Sequence, residues 1–176
     1  MNFDRIFPHK YLLNLARRPE RRVRSEELFA EHGWRVNRQP AVDARRLESA
    51  RGFAAPGRYA HAVSTRMILR RAMLTSAEAV FIFEDDVVFH PALEERLAKL
   101  KLPDDWGIFY LGCQHHERPE VVAPGLVKVT APLDTHAWGI RADRFMEVRR
   151  ALTGKFWPPG GPVPAADIAV GTGTHP

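Results

Sequence analysis

One cysteine, Cys113, in 176 residues excludes an internal disulfide framework and any zinc site built from several thiolates. A lone thiol fits a reducing compartment. No apolar run approaches the length of a membrane-spanning helix. The first residues, Met1-Asn2-Phe3-Asp4-Arg5, lack the basic start and apolar stretch of a secretory leader, so a cytoplasmic location is the expectation. Lysine is scarce beside arginine, and the chain contains no internal repeat.

A hydrophobic share of 45% and a charged share of 27% are those of a soluble globular protein, long enough for one domain with a real core. The formal net charge of +5, carried mainly by arginine, suits an anionic partner such as a nucleotide, a phospholipid surface, a lipid-linked glycan or nucleic acid. An arginine bias in composition accounts for the same charge, so charge alone decides nothing.

Hydrophobic patterning alternates strands with helices. Tyr11 to Leu15 is a short apolar run that predicts a buried first strand, and Pro19 opens a helix that Gly33 stops. Pro40 to Ala44 suggests a second short strand and loop, Ser49 to Gly57 a surface loop, and Tyr59 to Ala79 a helix. Ala79 to Val88 is the strongest strand in the sequence. Pro91 opens another helix, and Trp106 to Gly112 is a further buried strand. Val121 to Thr130, broken at Pro124-Gly125, reads as a hairpin, Thr135 to Ile140 as a strand and Arg144 to Leu152 as a helix. This succession implies an α/β domain whose sheet is mostly parallel in its first half, with ligands at the carboxyl ends of its strands.

The segment Phe81-Ile82-Phe83-Glu84-Asp85-Asp86-Val87-Val88-Phe89 sets three carboxylates against that edge. Alternation along an extended chain would place Glu84 and Asp86 on one side and Asp85 on the other. Clustered carboxylates repel one another and favour a hard divalent cation, Mn²⁺ or Mg²⁺, which keeps coordination positions for substrate phosphates. An acidic turn capping a helix ahead of Pro91 is the alternative. The apolar residues on both flanks argue against it, because a solvated charge run rarely interrupts a core strand.

In order along the chain, several segments resemble glycosyltransferase family 25, the group of lipopolysaccharide glycosyltransferases and collagen galactosyltransferases. Leu13-Asn14-Leu15 with Arg17 and Arg21 is similar to the family's opening segment. Ala41-Val42-Asp43-Ala44 resembles its "A-V/I-D-G" element, with Ala44 in place of glycine. Ala60 to Ser64 resembles the block before a long helix, with Thr65 where the family carries histidine and His61 no obvious substitute. Ile82 to Val87 is close to the acidic core motif, while Tyr110-Leu111-Gly112 and Thr135-His136-Ala137-Trp138 fit two later blocks.

The resemblance implies an α/β, GT-A-like (Rossmann-like) single domain over 1–176, with a mixed, largely parallel central sheet flanked by helices. Residues 1–112 would form the nucleotide-binding half and 113–176 the acceptor side. By the same resemblance Asn14, Arg21, Asp43, Ser64, Glu84 and Asp85 surround the nucleotide, and Asp86, with Asp85 or Glu84, holds Mn²⁺ or Mg²⁺. His175 is a further ligand candidate. Each has a plainer reading: Asn14 as a strand end, Arg21 as a solvated first-turn residue, Asp43 as a turn cap.

The expected reaction is transfer of a hexose from a nucleotide-sugar donor, a UDP-hexose, with inversion, to a hydroxyl of a glycan or lipid-linked saccharide acceptor. Asp167 and Asp134 are the candidate bases, with an N-cap as the alternative role for Asp167. His136 is a candidate contact to phosphate or acceptor, or a packed core residue. An anionic membrane surface is a further expected partner, placing the protein at the inner face of the membrane, and nucleic acid is not expected. Two other readings stay open: a relative that binds nucleotide sugar or glycan without turnover, and a metal-dependent nuclease. No lysine follows the acidic cluster before Lys99, which counts against the nuclease.

Overall fold

The computed structural model describes residues 1–115, 117–130, 132 and 135–153, and the backbone of 167–170. A short helix α1 (Phe3–Ile6) precedes strand β1 (His9–Asn14). Helix α2 (Pro19–Glu31) carries proline in its first turn, as its fixed φ allows, and stops before Gly33, whose φ of +66° reverses the chain. Strand β2 (Asn37–Pro40) follows, then a 3₁₀ turn over Ala44–Arg46 that the Asp43 side chain caps. Helix α3 (Pro56–Leu74) leads to β3 (Ala79–Glu84), α4 (Leu93–Lys99) and β4 (Ile108–Tyr110). The hairpin β5 (Glu120–Ala123) and β6 (Leu126–Val129) turns at Pro124-Gly125, and β7 (Ala137–Arg141), α5 (Phe145–Ala151) and β8 (Asp167–Val170) complete the order.

The strands form one mixed sheet in the order β2-β1-β3-β7-β4-β8-β6-β5. The first-half strands are parallel, β1 pairing with β2 on one side and β3 on the other. Strand β7 runs antiparallel between β3 and β4, and β8 lies parallel to β4. From β1 the chain steps outward to β2, then returns through α3 to place β3 on the opposite side of β1. The order therefore reverses between β1 and β3, and such a switch leaves a crevice at the carboxyl ends of the two strands.

Alternation in β3 sorts the core into two layers. Phe81 and Phe83 face a layer with Phe7, Phe29, Trp34 and Phe109, against which α1, α2 and α4 pack. Val80 and Ile82 face the other, built from Ile68, Leu69 and Ala72 of α3 with Phe145 and Val148 of α5. Burying each such side chain contributes about 1.5–3 kcal/mol, which anchors β3 firmly in the sheet. Gly139 in β7 sits beneath the aromatic layer. A Cβ there would lie 2.4 Å from Phe7 Cε1, so the strand must lack a side chain for Phe7 to cover it.

Three differences from the sequence reading have clear causes. Strand β3 ends at Glu84, because Val87 N–H turns back to the Glu84 carbonyl at 3.3 Å. Helix α4 begins at Leu93, two residues beyond Pro91. Strand β8 was not expected: the segment around Asp167 carries too few large apolar residues to announce a strand, and it enters the sheet by pairing with β4 and β6.

Candidate functional site

Asn14 ends β1 and is buried, so its amide must find partners inside the protein. Its Nδ2 donates to Asp85 Oδ2 at 2.8 Å and to the Arg18 carbonyl at 2.9 Å, while its Oδ1 accepts from Arg38 Nε at 3.0 Å. Asp85 Oδ1 accepts from Arg21 Nη1 at 3.0 Å. That hydrogen bond and the charge of Asp85 raise the Arg21 guanidinium above its ordinary value. The Ser25 hydroxyl, one turn along α2, donates to the Arg21 carbonyl and approaches the Asp85 carbonyl at 3.5 Å. Asn14, Asp85 and Arg21 thus clamp the carboxyl ends of β1 and β3 to the first turn of α2, across the switch in strand order.

Glu84 points to the opposite layer, where α3 lies. Its Oε1 accepts from Thr135 Oγ1 at 3.0 Å and stands 3.3 Å from His61 Nε2, an ion-pair distance whose alignment falls short of a hydrogen bond. Burial pushes the Glu84 carboxyl up, yet the His61 ring, Thr135 and the nearby His136 outweigh it and leave the pKa below its usual value. His61 is the residue that motif matching discounted. Thr65, in the family's histidine position, is fully buried with its hydroxyl unpartnered. His61 lies one helical turn earlier on the same face, and the i, i+4 relation was the available signal.

Asp86 differs from both neighbours. Its side chain is 56% exposed, and its contact is a long 3.4 Å approach from Arg21 Nη1. The turn after Glu84 ends the strict alternation, so Asp86 shares Arg21 with Asp85 instead of lying beside Glu84. This corrects the expected pairing of Glu84 with Asp86. Among the described residues no three His, Cys, Asp or Glu side chains are grouped as a closed metal cage. One open carboxylate suits Mn²⁺ or Mg²⁺ all the same, because such ions are commonly held by one or two carboxylates together with substrate phosphates.

Asp43 accepts from Arg45 N–H and from Arg17 Nε at 2.9 Å, which hold its carboxyl below the usual range. Ser64 is fully buried in α3. Its hydroxyl donates to the Ala60 carbonyl at 2.7 Å and accepts from Val42 N–H at 2.9 Å, fastening the Ala41-Val42-Asp43 loop to the helix. Ser64 is therefore a positioning residue for Asp43. Ser64→Ala is expected to lower stability by about 1 kcal/mol through the unmet Val42 N–H, read as a shift in the urea midpoint.

Asp134 and His175 lie outside the described residues. Asp167 opens β8 in register with Ile108, which is level with Val80 through Ile140. At about 3.3 Å per residue, that is roughly 13 Å of strand from Glu84, so the register does not bring Asp167 to the carboxylates.

The ordered elements and the Asn14–Asp85–Arg21 clamp can now be set beside known proteins. A protein of Aedes aegypti described as a glycosyltransferase 25 family member is 31% identical over 59% of this chain and 21% of its own length. Members so described from Drosophila pseudoobscura pseudoobscura and Drosophila melanogaster are 36% and 30% identical over 47% and 57% of the chain. Over these segments the chain is similar to members of glycosyltransferase family 25. It spans about a fifth of the length of these curated relatives. No family model matches the chain. A solved glycosyltransferase involved in glycosylation of the major capsid of PBCV-1 superposes with a TM-score of 0.49 at 13% identity, covering 86% of this chain and 69% of that one.

Proposed function

We propose that the chain is a glycosyltransferase that moves a hexose from a UDP-sugar, with inversion, to a hydroxyl of a glycan or lipid-linked saccharide. The observation that carries this reading is the meeting of Asn14, Arg21, Asp85 and Asp86 at the strand-order switch between β1 and β3. The similarity to glycosyltransferase 25 family members supports reading that crevice as one for a nucleotide sugar. Asp85, neutralised by Arg21 and fixed by Asn14, shapes the floor. Arg21 and the nearby Arg17 and Arg38 offer positive charge to a diphosphate. Asp86 would hold Mn²⁺ or Mg²⁺ against that diphosphate, and the ion would neutralise charge on the leaving group. No helix among the described residues is long and apolar enough to cross a membrane.

A second reading, nucleotide-sugar binding without transfer, is favoured by one observation: the register keeps Asp167 away from the carboxylates. Incubation with UDP- and GDP-sugars in Mn²⁺, followed by nucleotide release, separates the two. Release from one donor that stops on chelation is the expected result. Tight binding without release supports the second reading, and nicking of DNA or RNA with no sugar-nucleotide affinity would overturn both.

A further inference from the structure

On the far side of β3 from β1, a cleft of about 170 Å³ opens between the segment 87–93 and the ends of β4 and β7. Leu93, Leu111 and Ala137 give it an apolar floor, and His90, Arg96 and His136 are its ionisable lining, with no carboxylate among them. An apolar recess with a few convergent polar groups is the usual form of a small-molecule subsite.

The hydrogen bonding of His90 specifies what that subsite accepts. Ala92 N–H donates to His90 Nδ1 at 3.0 Å, so the lone pair of Nδ1 is occupied and the ring proton resides on Nε2. His90 Nε2 lies 3.4 Å from Arg96 Nη2. Arginine has no acceptor, so these two N–H donors stand side by side at the exposed rim of the cleft, where neither can accept from the other. An oxyanion at this rim can accept from both at once. His136 also lines the cleft.

We propose that this cleft is an anion subsite that takes a phosphate or carboxylate group carried by an acidic acceptor saccharide. The word acceptor rests on the glycosyltransferase reading; the anion site itself does not. Position favours the acceptor over the donor, because Arg21 and Arg38 serve the β1 side of β3 whereas the cleft lies on the β7 and β4 side. It borders Val87, next to Asp86, so a sugar held there by its anionic group keeps its hydroxyls beside the carboxylates.

The test is a titration of the whole chain, with histidine ring ¹H–¹⁵N resonances observed, using inorganic phosphate, a hexose phosphate, glucuronic acid and neutral glucose at constant ionic strength. The expected result is saturable movement of the His90 and His136 signals with the three anions and none with glucose. Arg96→Gln, and independently His90→Phe, should weaken phosphate binding by at least about 10-fold, as loss of one charge-assisted hydrogen bond implies, while UDP binding in Mn²⁺ stays unchanged. Unmoved rings would overturn the proposal, as would undiminished phosphate affinity in both variants. Displacement of phosphate by UDP from the same rings would overturn it too, by making the donor diphosphate the occupant. Phosphate binding in a chain that shows no affinity for UDP would leave the anion site standing and sink the glycosyltransferase reading instead.

Discussion

Asp85→Ala is expected to lower stability by about 1–3 kcal/mol, the cost of leaving a buried donor unmet, and to remove nucleotide binding with it. Asn14 is almost fully buried, and its amide N–H toward Asp85 has no other partner in reach, since the second N–H already serves the Arg18 carbonyl. Arg21 would lose its short contact and keep only the long one to Asp86. The stability effect comes mainly from Asn14, because Arg21 is 38% exposed and solvent replaces much of what it loses. The functional effect comes from the freed ends of β1 and α2, which no longer present the arginines in one arrangement. Asp85→Asn keeps the shape but sets an amide against one of the two donors, so it should recover part of the stability. Urea midpoints for the three proteins, with UDP binding measured beside them, check the result.

Asp86→Ala is expected to behave in the opposite way. Its side chain is exposed and weakly held, so the unfolding midpoint should stay within about 0.5 kcal/mol of the parent. Metal-dependent UDP binding should fall by at least about 100-fold, because loss of an outer-shell partner alone commonly costs about 10–100-fold in metal affinity and Asp86 is proposed as a direct ligand. The two adjacent carboxylates thus separate cleanly: one serves structure and binding together, the other serves binding alone. Equal effects of both substitutions on stability would contradict the division of roles.

The parts of this fold legible in the sequence are those fixed by short-range physics. The apolar run before Asn14, Pro19 at a helix start, Gly33 at its stop and the Pro124-Gly125 hairpin all appear where the pattern puts them. Elements whose stability comes from elsewhere in the chain were not legible. Strand β8 exists through its pairing with β4 and β6, and β7 is antiparallel in a position that no local pattern announces.

The site divides the same way. The Glu84-Asp85-Asp86 cluster and its association with Asn14 and Arg21 were readable from an ordered set of motifs. The roles of the individual carboxylates were not, because they depend on the turn immediately after Glu84 and on which layer each side chain enters. His61 was discounted as a substitute for a related reason. Its partnership with Glu84 is set by the packing of α3 on β3, and a helix can supply an imidazole from either of two successive turns without changing the packing face.

The most direct measurement is a calorimetric titration of UDP into the chain in Mn²⁺, repeated after chelation and with Asp86→Ala. Saturable binding in the parent, lost on chelation and lost in Asp86→Ala with an unchanged unfolding midpoint, is the expected outcome. Binding that survives both chelation and the substitution would contradict a metal-assisted nucleotide-sugar site at the switch between β1 and β3.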